Sequence, residues 1–128
     1  MKNKKKLVIL GVTAFPEIFE LIKDINKDND KYEVLEILDD NESLFESKIE
    51  GIKVGGSLSK VHKYPMDIKF IFGIGSHKSR IERFHILEKL SLPANRFETL
   101  IHPNAKIYSS ASIGFGVIIH TGSVIFNN

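Results

Sequence analysis

Isoleucine occupies positions 101, 107, 113, 119 and 125 of this 128-residue chain, one at every sixth residue. A strand repeats its facing every second residue and an α-helix about every 3.6, so neither produces a strict period of six. Written in sixes from Ile101, the tail reads IHPNAK, IYSSAS, IGFGVI, IHTGSV and IFNN. The fifth place of each complete hexad is Ala105, Ala111, Val117 or Ser123, always small or β-branched. A parallel β-helix accounts for both features. Three hexads make one triangular coil, the isoleucine of each flat face points inward, and the small residue keeps the inside of the corner from overfilling.

The first 98 residues carry a different pattern. KKLVILG, residues 5 to 11, is a short apolar run ending in glycine, as a strand buried on both faces reads. Pro16 suits the first turn of a helix, and Ile18, Leu21, Ile22 and Ile25 follow at i, i+3, i+4 and i+7. YEVLEILDD is a second strand ending at Asp39 and Asp40, and IKFIFGIG, from Ile68 to Gly75, is a third. Ile81, Phe84, Leu87 and Leu90 read as one face of a second helix that Pro93 stops, and FETLIHP reads as one more strand. Between the second and third runs, GIKVGGSLSKV reads as a short strand, a turn and a short helix. Strands alternating with helices across short connections predict a small Rossmann-like parallel α/β sheet over residues 1–98, followed over 99–128 by the opening of the β-helix.

Ligands of such sheets collect at the carboxyl ends of the strands. Here those ends are Gly11 to Phe15 including Thr13, Asp39 with Asp40, and Gly73 to Arg80. GVTAFP holds one glycine where the dinucleotide fingerprint needs three, which argues against a nicotinamide-dependent oxidoreductase. Asp39 and Asp40 are either ligand contacts or only the start of a turn. In GIGSHKSR, Gly73 and Gly75 let backbone approach a ligand, Ser76 suits a cap, and the amides after it can meet an anion. Arg80, one turn further, reaches either a phosphate or a solvent-exposed carboxylate.

Composition narrows the partners. Eighteen basic against sixteen acidic residues is a near balance that does not favour nucleic acid, and Lys2, Lys4, Lys5 and Lys6 read as a solvated lead into the first strand. Pro16 and Glu17 cut short the apolar run LVILGVTAF, no small-x-small cleavage site follows it, and nothing later approaches a membrane span. With no cysteine the chain has no disulfide or thiolate metal site, which fits the cytoplasm. His62, His77 and His85 are scattered, and no histidine and carboxylate set has metal-ligand spacing.

A Rossmann-like half with an LDD strand end, an IG turn followed five residues later by Arg80, and an HP-x-A lead into hexads together resemble the sugar O- and N-acyltransferases of the NeuD and PglD type. The resemblance implies a left-handed β-helix and a trimer, with acetyl-CoA lying against the coils between subunits. It also implies a nucleotide-sugar partner, most often a UDP-linked amino sugar, held by the N-terminal half. By position, Gly11 would lie near the phosphates, Asp39 and Asp40 would face the nucleoside, and Gly75, Ser76 and Arg80 would complete the pocket. Thr13 and Gly73 at the same strand ends join that substrate-binding set.

Two departures qualify the resemblance. Relatives carry G-x-x-G-H after the first strand, whereas this chain has Ala14 and Phe15 in place of Gly-His. The family's catalytic histidine is written I-E-H-D, and Phe126, Asn127 and Asn128 stand in place of Glu, His and Asp, one coil too early. The chain is therefore expected to end before its catalytic histidine and to bind acetyl-CoA poorly by itself. His102 belongs to the structural HP lead, and His120, in the second place of its hexad, is the weak substitute as general base. A module that binds a nucleotide-sugar or assembles without catalysis is the alternative reading. An open last coil also predicts self-association through residues 101 to 128.

Overall fold

The computed structural model describes residues 3–74 and 80–126. At its centre lies β1 (Lys5–Leu10), whose Leu7, Val8, Ile9 and Leu10 are all fully buried, as a continuous apolar run requires. It pairs in parallel with β2 (Tyr32–Leu38) on one side and, on the other, with the strand of Lys69–Phe72 that serves as β5 once two intervening strands are counted. Those two are β3 (Lys48–Ile49) and β4 (Ile52–Gly56). The sheet order is β3-β4-β2-β1-β5, with β4 parallel to β2 and β3 folded back antiparallel on β4.

Alternate residues of β1 feed two apolar layers. Leu7 and Ile9 meet α1 (Phe15–Asp28), which presents Phe15, Ile18, Leu21, Ile22 and Ile25, the face its i, i+3, i+4, i+7 spacing predicts. Val8 and Leu10 point the other way, onto Leu58 and Val61 of a 3₁₀ turn (Leu58–Lys63) and onto Leu90 at the end of α2 (Arg80–Leu90).

The second helix departs from its sequence reading. Ile81 and Phe84 are exposed, and the residues of α2 that pack are Ile86 and Leu90. The reason is angular: a spacing of three drifts by about 60° per step on a helix of 3.6 residues per turn, so the stripe from Ile81 to Leu90 ends roughly opposite its start. Ile86 and Leu90, four apart, stay on one side. The helix ends at Leu90, three residues before Pro93. Ser91, in the left-handed region at φ 53°, follows it and returns its N–H to the Glu88 carbonyl at 3.1 Å. Pro93 starts the 3₁₀ turn of Ala94–Arg96, whose Arg96 is buried and donates to the carbonyls of Ile68 and Pro65.

FETLIHP divides between the two parts of the molecule. Phe97 makes a single bridge to Phe70 beside β5, and Glu98 donates its N–H to the Phe70 carbonyl at 3.0 Å. Two residues on, β6 (Leu100–Ile101) already belongs to the coil. It pairs in parallel with β8 (Ile118–Ile119), and β7 (Lys106–Ile107) pairs with β9 (Val124–Ile125). Leu100 faces Ile118 and Lys106 faces Val124, one coil of three hexads apart, so the period of six is a stacked parallel β-helix. Ile107, Ile113 and Ile125 are half-buried and Ile119 is buried, as are in part Ala105, Ala111, Val117 and Ser123 at the corners. Ile101, on the first rung with a paired neighbour on one side only, is 37% exposed.

A polar cluster ties the sheet to the start of the coil. Tyr32 donates to Glu98 at 2.7 Å, and Lys5 reaches the same carboxylate at 3.1 Å. Burial, then the hydrogen bond and charge of Glu98, holds the Tyr32 hydroxyl above its ordinary value of 10.0. A tyrosine that keeps its proton longer when folded leaves the unfolded chain binding fewer protons above that value, so stability falls with rising pH there. Below about pH 9 its contribution is complete. We expect Tyr32→Phe to flatten the alkaline part of a melting-temperature profile relative to wild type while changing little of its shape from pH 6 to 8.

Candidate functional site

The carboxyl ends of β1, β2 and β5 open onto a cleft of about 240 Å³ lined by Gly11, Thr13, Asp39, Asp40, Leu58, Ile74 and Ile86. Its floor is backbone. Gly11 donates its N–H to the Leu38 carbonyl and Gly73 donates to the Leu10 carbonyl, both at 2.7 Å, so the three strand ends are fastened together before they diverge. Gly11 has φ +100°, and a Cβ there would stand 2.8 Å from Ile74 Cγ1 and 3.0 Å from its Cα and N. Only glycine permits both the conformation and that approach.

Asp39 fixes the turn between β1 and α1. Its Oδ2 accepts the Val12 N–H at 3.1 Å and its Oδ1 accepts the Asn41 N–H at 2.9 Å, so both carboxylate oxygens hold backbone. Asp40, more exposed, uses Oδ1 to accept the Leu58 N–H at 2.9 Å, which caps the 3₁₀ turn. The two aspartates thus combine turn chemistry with a place in the cleft wall.

The donors of the β1–α1 turn are largely spent. Val12 N–H goes to Asp39, Ala14 N–H to the Gly73 carbonyl at 3.0 Å, Phe15 N–H to the Val12 carbonyl at 3.2 Å, and Pro16 has none. Thr13 remains at the exposed rim, and among the described residues no hydrogen bond engages its N–H. Phe15 is fully buried and stacks on Phe19 with ring centroids 5.1 Å apart, facing the core and not the cleft. Lys60 is committed to Glu36 at 2.9 Å and to the Gly55 carbonyl at 3.2 Å. The lining therefore offers an apolar wall of Leu58, Ile74 and Ile86 opposite two carboxylates. It suits a ring system with N–H or O–H donors on its edge.

Four of the residues singled out from sequence, Gly11, Thr13, Asp39 and Asp40, meet in this cleft. Gly73 does not line it; it is buried behind the floor, where a Cβ would press on Ile9, Ile18 and the Gly11 carbonyl at 3.1 to 3.2 Å. Gly75 and Ser76 lie outside the described residues, as does His77, and so does the side chain of Arg80, which opens α2. His120 is exposed on the second coil, and among the described residues no histidine lines the cleft. His102 is bound to Asp24 of α1 at 3.1 Å, and His85 sits 3.8 Å from Glu88 on the surface of α2. No group of three or more histidine and carboxylate side chains among the described residues could hold a metal ion. No described helix is long and apolar enough to cross a membrane. Sequence reading missed the apolar wall. Leu58 follows directly on the GGS turn that ends β4, and Ile86 is the residue hidden by the false stripe on α2.

Comparison with known proteins adds a family. The family model described as the PglD N-terminal domain matches residues 6–87. No curated protein matches. Two solved structures share the fold, each with a TM-score of 0.66 and covering 95% of this chain. One is the acetyltransferase domain of PglB from Neisseria gonorrhoeae FA1090 in complex with acetyl coenzyme A, 20% identical. The other is the H141N mutant of perosamine N-acetyltransferase from Caulobacter crescentus in complex with CoA and GDP-perosamine, 19% identical. This chain spans 56% of the first and 54% of the second.

Proposed function

Because the chain belongs to the PglD N-terminal domain family, we propose that it is the nucleotide-sugar-binding part of an acetyl-CoA-dependent sugar acyltransferase, one that acetylates an amino or hydroxyl group of a nucleotide-linked sugar for surface glycan synthesis in the cytoplasm. The observation that carries this reading is the cleft, where Gly11, Thr13, Asp39 and Asp40 converge against an apolar wall at the strand ends. The nucleoside lies along Leu58 and Ile86 and gives a hydrogen bond to the Asp40 carboxylate, which holds backbone with Oδ1 alone. The diphosphate runs toward the Thr13 rim, away from the carboxylates that would repel it. A UDP-linked amino sugar is the first candidate, and the GDP-perosamine complex of the Caulobacter relative makes a GDP-linked one the second.

In the reaction, acetyl-CoA supplies the acetyl thioester. The acceptor nitrogen or oxygen gives up its proton, attacks the thioester carbonyl, and the carbon–sulfur bond breaks to release CoA as the thiol. The residues described here hold and orient the acceptor. Among the described residues no histidine lines the cleft, and His102 is engaged with α1, so the part proposed for them is binding and not proton removal. Donor binding and proton removal belong to β-helix coils, in a trimer assembled through them.

Calorimetric titration of the purified chain with UDP-, GDP- and dTDP-sugars, alongside acetyl-CoA, tests the proposal. The expected result is saturable binding of one nucleotide-sugar class, no heat from acetyl-CoA, and self-association by light scattering. Silence from every nucleotide-sugar would overturn it in favour of an assembly module.

A further inference from the structure

Outside the cleft, and apart from the Tyr32, Lys5 and Glu98 cluster, a second set of polar side chains joins the sheet half of the molecule to the coil. His102, 13% exposed, places Nε2 at 3.1 Å from Asp24 Oδ2 on α1. Its other nitrogen, Nδ1, accepts the backbone N–H of Asn104 at 3.1 Å. The Asn104 side chain in turn accepts from Thr121 Oγ1 at 2.8 Å and from the Gly122 N–H at 2.9 Å, on the next coil. A bond accepted at Nδ1 and one shared with a carboxylate at Nε2 are compatible with a single form of the ring, the neutral imidazole with its proton on Nε2.

We infer that Asp24, His102 and Asn104 form a proton-sensitive latch that fastens the first β-helix coil to α1 and to the coil after it, with His102 as the positioning residue. The inference rests on the fold alone, and its failure leaves the acceptor-site proposal untouched. Its two ends respond differently to a second proton on His102. At Nε2 the bond to Asp24 persists, because an imidazolium donates there as the neutral ring does. At Nδ1 an acceptor becomes a donor, so the Asn104 N–H is opposed and the turn that aims Asn104 at Thr121 and Gly122 loses its hold. The charged groups around the hollow beside His102 are Asp24, Lys27 and Asp28, all from α1, with Pro103 and Asn104 on the coil side. Lys27 stands 3.7 Å from Asp24. The coil side supplies no charge there, so the effect of a second proton is read at Asn104.

Nuclear magnetic resonance of the full chain tests this in two ways. Nitrogen shifts of His102 at pH 7.5 are expected to show the Nε2–H tautomer. The protection of the Gly122 amide against hydrogen exchange is expected to fall at least tenfold as His102 takes its second proton. His102→Asn keeps an acceptor where Nδ1 stands but cannot titrate, so it should hold that protection flat with pH. His102→Gln keeps the donor to Asp24 and loses the acceptor, so it should lower protection at every pH. A His102 found as the Nδ1–H tautomer at pH 7.5, or Gly122 protection that follows pH equally in His102→Asn, would overturn the latch. The tautomer measurement is made on wild type and stands even where a variant fails to fold.

Discussion

Replacing Gly11 with alanine is expected to destabilise the chain by at least about 3 kcal/mol, the sum of a left-handed backbone forced on a residue with a Cβ and an overpacked contact in a buried place. At roughly 4 °C per kcal/mol for a chain of this size, the melting temperature should drop by about 12 °C in a calorimetric scan. The size follows from what the new methyl group meets. Ile74 Cγ1 can rotate away from 2.8 Å, but Ile74 Cα and N, at 3.0 Å, are backbone of the segment leaving β5. They can retreat only by parting the ends of β1 and β5, which the Gly73 N–H bond to Leu10 holds together. Because Gly11 and Ile74 both line the cleft, nucleotide-sugar binding should be lost even at temperatures where the variant remains folded. A Gly11→Ala protein that melts within about 3 °C of wild type would mean that the Gly11 turn is not constrained as described.

How much of this was legible in the sequence depends on how local each signal is. The six-residue period is translational, since each hexad repeats the environment of the one before, and it located the paired rungs at Ile101, Ile107, Ile119 and Ile125 without help from the rest of the chain. The amphipathic spacing of α1 and the apolar run of β1 are equally local, and both stand where they were read. The α2 stripe failed because equal steps of three look periodic in sequence but wind round a helix, and Ile86, which packs, lies off it. The short strand and short helix read in GIKVGGSLSKV are β4 and the 3₁₀ turn after it, but β3 and its antiparallel return escaped notice because β3 is short and the turn is Glu50-Gly51, which lacks the Asn-Gly or Asp-Gly signal of two-residue loops.

The site was legible as a set of strand ends but not as a set of roles. Gly73 looked like a ligand contact and is a packing position behind the floor, where its lack of a side chain serves Ile9 and Ile18. Phe15 looked like a substitution within the cleft and is a core residue. Both distinctions depend on which way a residue points after the strand ends, and no spacing rule carries that information. The division of backbone amides between Asp39 and Asp40 is of the same kind, invisible in the letters DD.

That division yields the second large expected effect, on binding. Asp40→Asn should weaken nucleotide-sugar affinity by roughly 10- to 100-fold, the loss of one charge-assisted hydrogen bond of about 1.5–3 kcal/mol, with little change in melting temperature. The asparagine keeps an Oδ1 that can accept the Leu58 N–H, so the cap on the 3₁₀ turn survives while the carboxylate offered to ligand donors does not. Asp39→Asn should behave in the opposite way. Both of its oxygens hold amides, Val12 N–H at one and Asn41 N–H at the other, and an amide group can accept at only one of those places while its NH₂ opposes the donor at the second. The expected cost is about 2 kcal/mol of stability, with the binding defect following from a displaced β1–α1 turn and not from a lost ligand contact. Titration of both variants with the nucleotide-sugar that wild type binds, paired with their melting curves, separates the roles. A stable Asp39→Asn protein that cannot bind, beside an Asp40→Asn protein that binds like wild type, would exchange them. In that case Asp39 would be the ligand's partner and Asp40 only the cap of its turn.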